Sequence, residues 1–250
     1  MAEEVYDEAL SAAQQVDAYR QAKEYSLEEE LKHFPLLGLP FSVKDNANLT
    51  GYDSTCGTAS RCFQPASQDA VVITLLKRAG AIPFVRSNVP QSLMVAESDN
   101  NVWGRSLNPW DLARTPGGSS GGEAALLAAD ASPAGIGTDV GGSVRGPSHN
   151  SGVIALKPCF GRISKQGFTA PRELNRNGQE AIKSVVGPMA RSVSDLVLIL
   201  KTWFVSVSSD PAIVPLRFDL KQYENKEKLK IGVFYSDPSF PAAPSCRRAV

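Results

Sequence analysis

Two neighbouring stretches decide how the chain folds: Gly117-Gly118-Ser119-Ser120-Gly121-Gly122-Glu123-Ala124-Ala125-Leu126-Leu127-Ala128-Ala129, and then Ala134-Gly135-Ile136-Gly137-Thr138-Asp139-Val140-Gly141-Gly142-Ser143-Val144-Arg145. Glycine costs backbone entropy when it is ordered, and a run this rich in it could be a linker. Yet Glu123 to Ala129 is strongly helix-forming and Ala134 to Val140 resembles a short strand. The glycines therefore occupy the turns of an ordered loop, helix, strand and loop unit. Without Cβ atoms, the backbone N–H groups of Val140, Gly141, Gly142 and Ser143 can turn toward one point. A helix read from Ser143 to Ser151 presents its positive end to the same place. Such a hole suits either a phosphate or the oxyanion of a tetrahedral acyl intermediate.

The phosphate reading fails on pattern. No lysine follows any of these glycine pairs as a P-loop requires, and Gly135-Ile136-Gly137 lacks the third glycine of a dinucleotide fingerprint. The acyl reading needs a nucleophile, and Ser143 stands in the right place. The usual base for a serine is histidine. His149 falls on another face of the helix read from Ser143, and His33 sits in a polar N-terminal segment, so a Ser/His/Asp triad is poorly supported. Lysine serves when burial lowers its pKa, and Lys44, directly after the apolar strand residues Leu39 to Val43, is the best candidate. By composition alone, a solvated strand-end lysine fits that position equally well.

Further out, Val5, Ala9, Ala12, Val16 and Tyr19 recur every three or four residues, which predicts a docking helix over about 3–24. A polar segment, Ser26 to Lys32, precedes a buried strand expected from Leu36 to Val43. Ala70 to Ala79 is expected as a helix closed by Gly80, Ala81 to Val85 as a strand, and the stretch to Pro116 as loop. Leu229 to Phe234 reads as a strand of the large sheet. Helices alternating with strands imply an α/β layer architecture.

Composition narrows the function classes. With 26 Lys plus Arg against 26 Asp plus Glu the formal charge is zero, which argues against a dedicated nucleic-acid binder. Cys56, Cys62, Cys159 and Cys246, with only two histidines, show no zinc spacing and read as reduced thiols of a cytoplasmic protein with no metal. The apolar run Val193 to Val207 is broken by Asp195 and Lys201, so no transmembrane segment is expected. The opening MAEEVYDE is acidic where a signal peptide would be basic and then apolar.

Taken together, Leu39-Pro40-Phe41-Ser42-Val43-Lys44-Asp45, Asn88-Val89-Pro90-Gln91-Ser92, the two glycine stretches, Leu156-Lys157-Pro158 and Val186-Gly187-Pro188-Met189-Ala190-Arg191 resemble the amidase signature family over nearly the whole chain from about Leu36. Glu123, the stretch Asn101 to Trp110 and Pro147-Ser148-His149-Asn150 are most similar to the fungal acetamidase-type general amidases and their fatty-acid amide hydrolase relatives. The amidotransferase A subunits usually carry a small residue where Glu123 stands.

The resemblance implies a mixed β-sheet core covered by helices on both faces. One amidase signature domain would span 1–250, with the signature core at about 36–206 and the start of a C-terminal part at about 207–250. It also implies a chain cut short at both ends, and so an inactive fragment, or a subunit needing partner chains, as alternatives to an active enzyme. The implied activity is hydrolysis of a small-molecule amide without cofactor, in a protein for which a homodimer is allowed. By the same resemblance Ser143 is the nucleophile, Ser119 a bridging serine after a cis peptide bond, and Lys44 the base. Asp139 and Arg145 would tie the glycine loop in place and Ser120 would support its turn. Leu93 and Met94 would line the acyl pocket, although a leucine and a methionine there fit core packing as well.

Overall fold

The computed structural model describes residues 1–22, 26–170, 181–205, 210–225, 227–234, 237, 239 and 241–248. They fall into two units, Met1–Phe218 and Asp219–Val250.

In the first unit a short strand β1 (Glu3–Glu4) leads into α1 (Tyr6–Gln21), and α2 (Leu27–His33) follows. β2 (Pro40–Lys44), α3 (Val71–Arg78) and β3 (Ile82–Ser87) form the next unit, succeeded by a two-stranded ribbon, β4 (Asp99–Asn100) and β5 (Gly104–Arg105). Then come α4 (Gly121–Ala128), β6 (Ala134–Asp139), α5 (Arg145–Ser151), β7 (Ile154–Ala155), β8 (Val185–Ala190) and α6 (Val193–Val205). The main sheet runs β1-β3-β2-β6-β8-β7. β2 lies parallel to both β3 and β6, while β1, β8 and β7 are antiparallel to their neighbours. This is the expected mixed sheet, and helices cover both of its faces.

The pleat of β2 sorts the molecule. Phe41 and Val43 enter the main apolar core with Val72, Ile73, Leu76, Ile136, Ile199 and Trp203, on the side of α3 and α6. Ser42 and Lys44, one residue out of phase, point toward α4. Gly135 of β6 leaves room for α4 to approach, since a Cβ there would overlap Glu123 Oε2.

Several boundaries differ from expectation. The N-terminal helix starts at Tyr6, because Glu3 and Glu4 pair with Arg86 and Val85 of β3, and its end is observed at Gln21, with residues 23 and 24 outside the described range. The expected strand from Leu36 begins only at Pro40. Leu36 and Gly38 instead donate their N–H groups to Ala79 O and Gly80 O at 2.9 and 2.8 Å, capping the end of α3. The polar segment after Ser26 is a helix: Ser26 Oγ accepts from Glu29 N at 3.3 Å and Glu29 Oε2 accepts from Ser26 N at 2.9 Å. This reciprocal pair is a capping box. The last two residues of the apolar run Val193 to Val207 lie outside the described residues.

α3 ends at Gly80, whose φ of +95° suits glycine and whose absent Cβ would sit 2.7 Å from Leu37 Cα. Gly80→Ala is therefore expected to cost roughly 1–3 kcal/mol, read as a lower thermal midpoint. An unchanged midpoint would mean that the turn rearranges freely.

In the second unit α7 (Leu220–Glu224) is capped by Asp219, whose Oδ1 accepts from Gln222 N at 3.0 Å, and α8 (Pro244–Arg248) follows. Leu229 to Phe234 does not form the expected strand. A strand needs a ladder partner for its N–H and C=O groups, and among the described residues nothing pairs with this segment.

Candidate active site

Because β2 and β6 are adjacent and parallel, with Ser42 opposite Gly135 and Val43 opposite Ile136, their carboxyl ends open side by side. In open α/β sheets this is where ligands bind. Lys44 is the last residue of β2, and the loop after Asp139 carries Ser143 into α5. Ser119 and Ser120 precede α4, and the Gly118–Ser119 peptide bond is cis.

Lys44 is fully buried. Its Nζ donates to Ser119 Oγ and Ser120 Oγ at 2.8 Å each, to Thr138 Oγ1 at 2.9 Å and to Thr138 O at 3.4 Å. All four acceptors are neutral. Burial pulls the ammonium down to about 7, against the pull of Glu123 and Asp139, so the neutral amine is accessible at physiological pH. The alternative of a solvated strand-end lysine is excluded.

Ser119 and Ser120 are buried. Ser120 does more than hold the turn: besides meeting Lys44, its N–H donates to Ser143 O at 3.1 Å and joins the two glycine loops. Ser143 is half-buried, and its hydroxyl has no hydrogen-bond partner among the described residues. Of the four N–H groups expected to converge, that of Gly142 is already given to Asp139 Oδ1 at 2.9 Å. Those of Val140, Gly141 and Ser143 have no acceptor among the described residues.

Asp139 organises this loop. Its buried carboxylate also accepts from Val144 N at 3.0 Å, and Arg145 grips it through Nε at 3.1 Å and a terminal nitrogen at 2.9 Å. Burial pushes the Asp139 carboxyl up, but Arg145 and the backbone donors outweigh it and hold the group below its ordinary value. A depressed pKa stabilises the fold fully above the ordinary aspartate value of about 4 and loses that contribution as pH falls through the folded value. Asp139→Asn is accordingly expected to cost roughly 2 kcal/mol at neutral pH. The gap to the parent chain should narrow on acidification, and a pH-independent gap in the melts would reject the ion-pair account.

A second buried pair fixes the strand end. Arg86 of β3 donates to Asp45 O at 2.8 Å, Asp45 Oδ1 at 3.3 Å and Ala47 O at 3.0 Å, which holds the chain just beyond Lys44. Glu123, singled out in the sequence only as a marker of family branch, proves to be fully buried on α4. It accepts from Ser87 Oγ at 2.8 Å and from Ser42 Oγ, and burial lifts it to about 7. Thr138, Ser42, Ser87 and Arg86 were not foreseen. The one available signal was the alternation of β2, which places Ser42 on the face of Lys44.

Leu93 and Met94 lie in a loop that skirts the peptide before Ser119: a Cβ on Gly118 would meet Val95 O at 2.5 Å. Leu93 is half-buried with φ +64° and Met94 is exposed, so neither packs in the core clusters. Among the described residues no helix is long and apolar enough to cross a membrane, and no group of three His, Cys, Asp or Glu side chains could hold a metal.

The sequence model of the family described as Amidase matches residues 1–250. The chain belongs to the amidase family. Amidase 1 of Gibberella moniliformis is 40% identical over 247 residues, which is 97% of this chain and 46% of that protein. Fatty-acid amide hydrolase 1 of Sus scrofa is 42% identical over 217 residues, covering 86% and 37% respectively. Among solved structures, one titled fatty acid amide hydrolase superposes with a TM-score of 0.76 at 33% identity, over 85% of this amidase chain and 36% of that one. The chain thus spans less than half the length of these relatives.

Proposed function

We propose that this amidase hydrolyses carboxylic acid amides through an acyl-enzyme, with Ser143 as nucleophile, Ser119 as proton bridge and Lys44 as base. The observation that carries the reading is the buried amine of Lys44 held 2.8 Å from Ser119 Oγ, with the neighbouring Ser120 N–H donating to Ser143 O at 3.1 Å and so tying the loop of Ser143 to the same pair of serines. As Ser143 Oγ forms a bond to the carbonyl carbon, its proton passes to Ser119 Oγ and the proton of Ser119 passes to neutral Lys44. The oxyanion is held by the N–H groups of Val140, Gly141 and Ser143, each donor typically worth about 3 kcal/mol. Collapse of the adduct breaks the carbon–nitrogen bond, and the relay returns the proton to the leaving amine, which departs poorly as an anion. Water then attacks the ester, with Lys44 and Ser119 again taking its proton, and the acid is released.

The apolar side chains of Leu93 and Met94, in the loop whose Val95 carbonyl lies against Gly118, favour an apolar acyl group, and short aliphatic or aryl amides are the first substrates to assay. No step calls for a cofactor. The test is labelling of the chain by a fluorophosphonate compared with Ser143→Ala.

A further inference from the structure

Resting on that reading, the charges around Lys44 assign one more residue. Each catalytic cycle places a proton, and hence a positive charge, on an amine that is fully buried and contacts only neutral oxygens. A cation in such a place needs an opposite charge nearby. Cys56, Glu123 and Asp139 act on Lys44 electrostatically, and Asp45 follows it in the chain. Asp139 is already neutralised by two bonds from Arg145. Asp45, next in sequence, is paired with Arg86 and accepts from Thr55. The thiol of Cys56 is pushed up to about 12 by burial, and so stays neutral.

Glu123 is different. Its carboxyl is fully buried, and among the described residues it is held only by hydroxyl donors, Ser42 on the strand of Lys44 and Ser87 at the end of β3. No cationic side chain hydrogen-bonds to it among the described residues. The groups that act on it electrostatically are Lys44 and the α-amino group of Met1, whose own ammonium form is disfavoured by burial. Ser42, which donates to Glu123, stands two residues before Lys44 on the same face of β2, and Ser120, which accepts from Lys44 Nζ, stands three residues before Glu123 at the start of α4, so the carboxylate lies on the base's side of the sheet, with the Cβ of residue 135 absent to admit it.

We propose that Glu123 is a positioning residue that supplies the negative charge opposite Lys44 and so sets the proton affinity of the base. It touches no substrate. It acts through Lys44; the hydroxyls of Ser42 and Ser87 oppose the burial that lifts its carboxyl to about 7, so it carries its charge above that pH. Removing the charge makes protonated Lys44 less stable. The base then deprotonates at lower pH and takes the serine proton less readily.

The test is the pH profile of kcat/KM for an aryl amide, whose acid limb reports Lys44 coupled to Glu123 in the free enzyme. Glu123→Gln is expected to move that limb to lower pH by a unit or more and to lower the plateau about tenfold, whereas Glu123→Asp keeps the limb in place at reduced rate. A purely structural role would lower both rates without moving the limb, and that result overturns the proposal. Should Glu123→Gln fail to fold by circular dichroism, Ser87→Ala removes a donor to the carboxylate and is expected to shift the limb the same way by a smaller step. No shift there overturns the proposal equally. Fluorophosphonate labelling of the unmodified protein separates the two levels: without labelling the hydrolase reading itself falls and takes this inference with it, while labelling with an unmoved limb removes the role of Glu123 alone.

Discussion

Ser143→Ala is expected to abolish labelling by a fluorophosphonate and to lower amide hydrolysis by at least roughly 10³-fold, with the thermal midpoint unchanged. The three serines at the site are not equivalent. Ser119 and Ser120 are buried against Lys44 and are occupied as its hydrogen-bond partners. Ser143 alone is half-buried, and its hydroxyl is unengaged among the described residues. It also belongs to the loop in which the N–H groups of Val140, Gly141 and Ser143 have no acceptor among the described residues. On the proposed reading, an attack by Ser143 Oγ would place the developing oxyanion within reach of these free donors. Removing an oxygen that bonds to nothing among the described residues should alter stability by no more than about 0.5 kcal/mol, so loss of labelling cannot be ascribed to unfolding. Undiminished labelling of the variant would show that another hydroxyl is the nucleophile.

Lys44→Met should be nearly as damaging, but selectively. Methionine keeps the length and bulk of the side chain while removing the base, and general-base groups contribute typically 10²–10⁴-fold. Amides should lose the whole of this factor, because their leaving nitrogen needs a proton from the relay. Aryl esters, whose phenolate leaves unaided, should lose less. Equal losses for matched amide and ester would refute the relay. In the unmodified protein, activity should fall as pH drops through about 7, where Lys44 takes up a proton and can no longer accept one. This acid limb should vanish in Lys44→Met.

Much of the arrangement of this candidate site was legible because it is built from unusual residues. Paired glycines around serines announce tight turns, and a lysine at the end of an apolar run announces a strand terminus. The quieter contributors were not legible for the same reason. Thr138, Ser42 and Ser87 are ordinary polar residues that acquire a role only once β2, β3, β6 and α4 are assembled. In the fold, the helix over Ala70 to Ala79 came through because its apolar period and closing glycine agree with its packing. Leu36 to Leu39 look as apolar as the strand that follows them, but the carbonyls of Ala79 and Gly80 recruit them into a turn. The capping box at Ser26 and Glu29 was present in the sequence and was obscured by the polarity around it. Leu229 to Phe234 has the composition of a strand, and composition does not supply a partner.

The parallel pairing of β2 with β6 also sets a timetable for synthesis. β3 and α4 are both made between these strands, so Lys44 emerges from the ribosome long before the residues that will enclose it. At roughly 5–20 residues per second, the base waits on the order of ten seconds as an ordinary hydrated ammonium. Only when β6 docks and the serine loops close over it is that ammonium stripped of water. The lowered proton affinity of Lys44 can therefore arise only after β6 has been made.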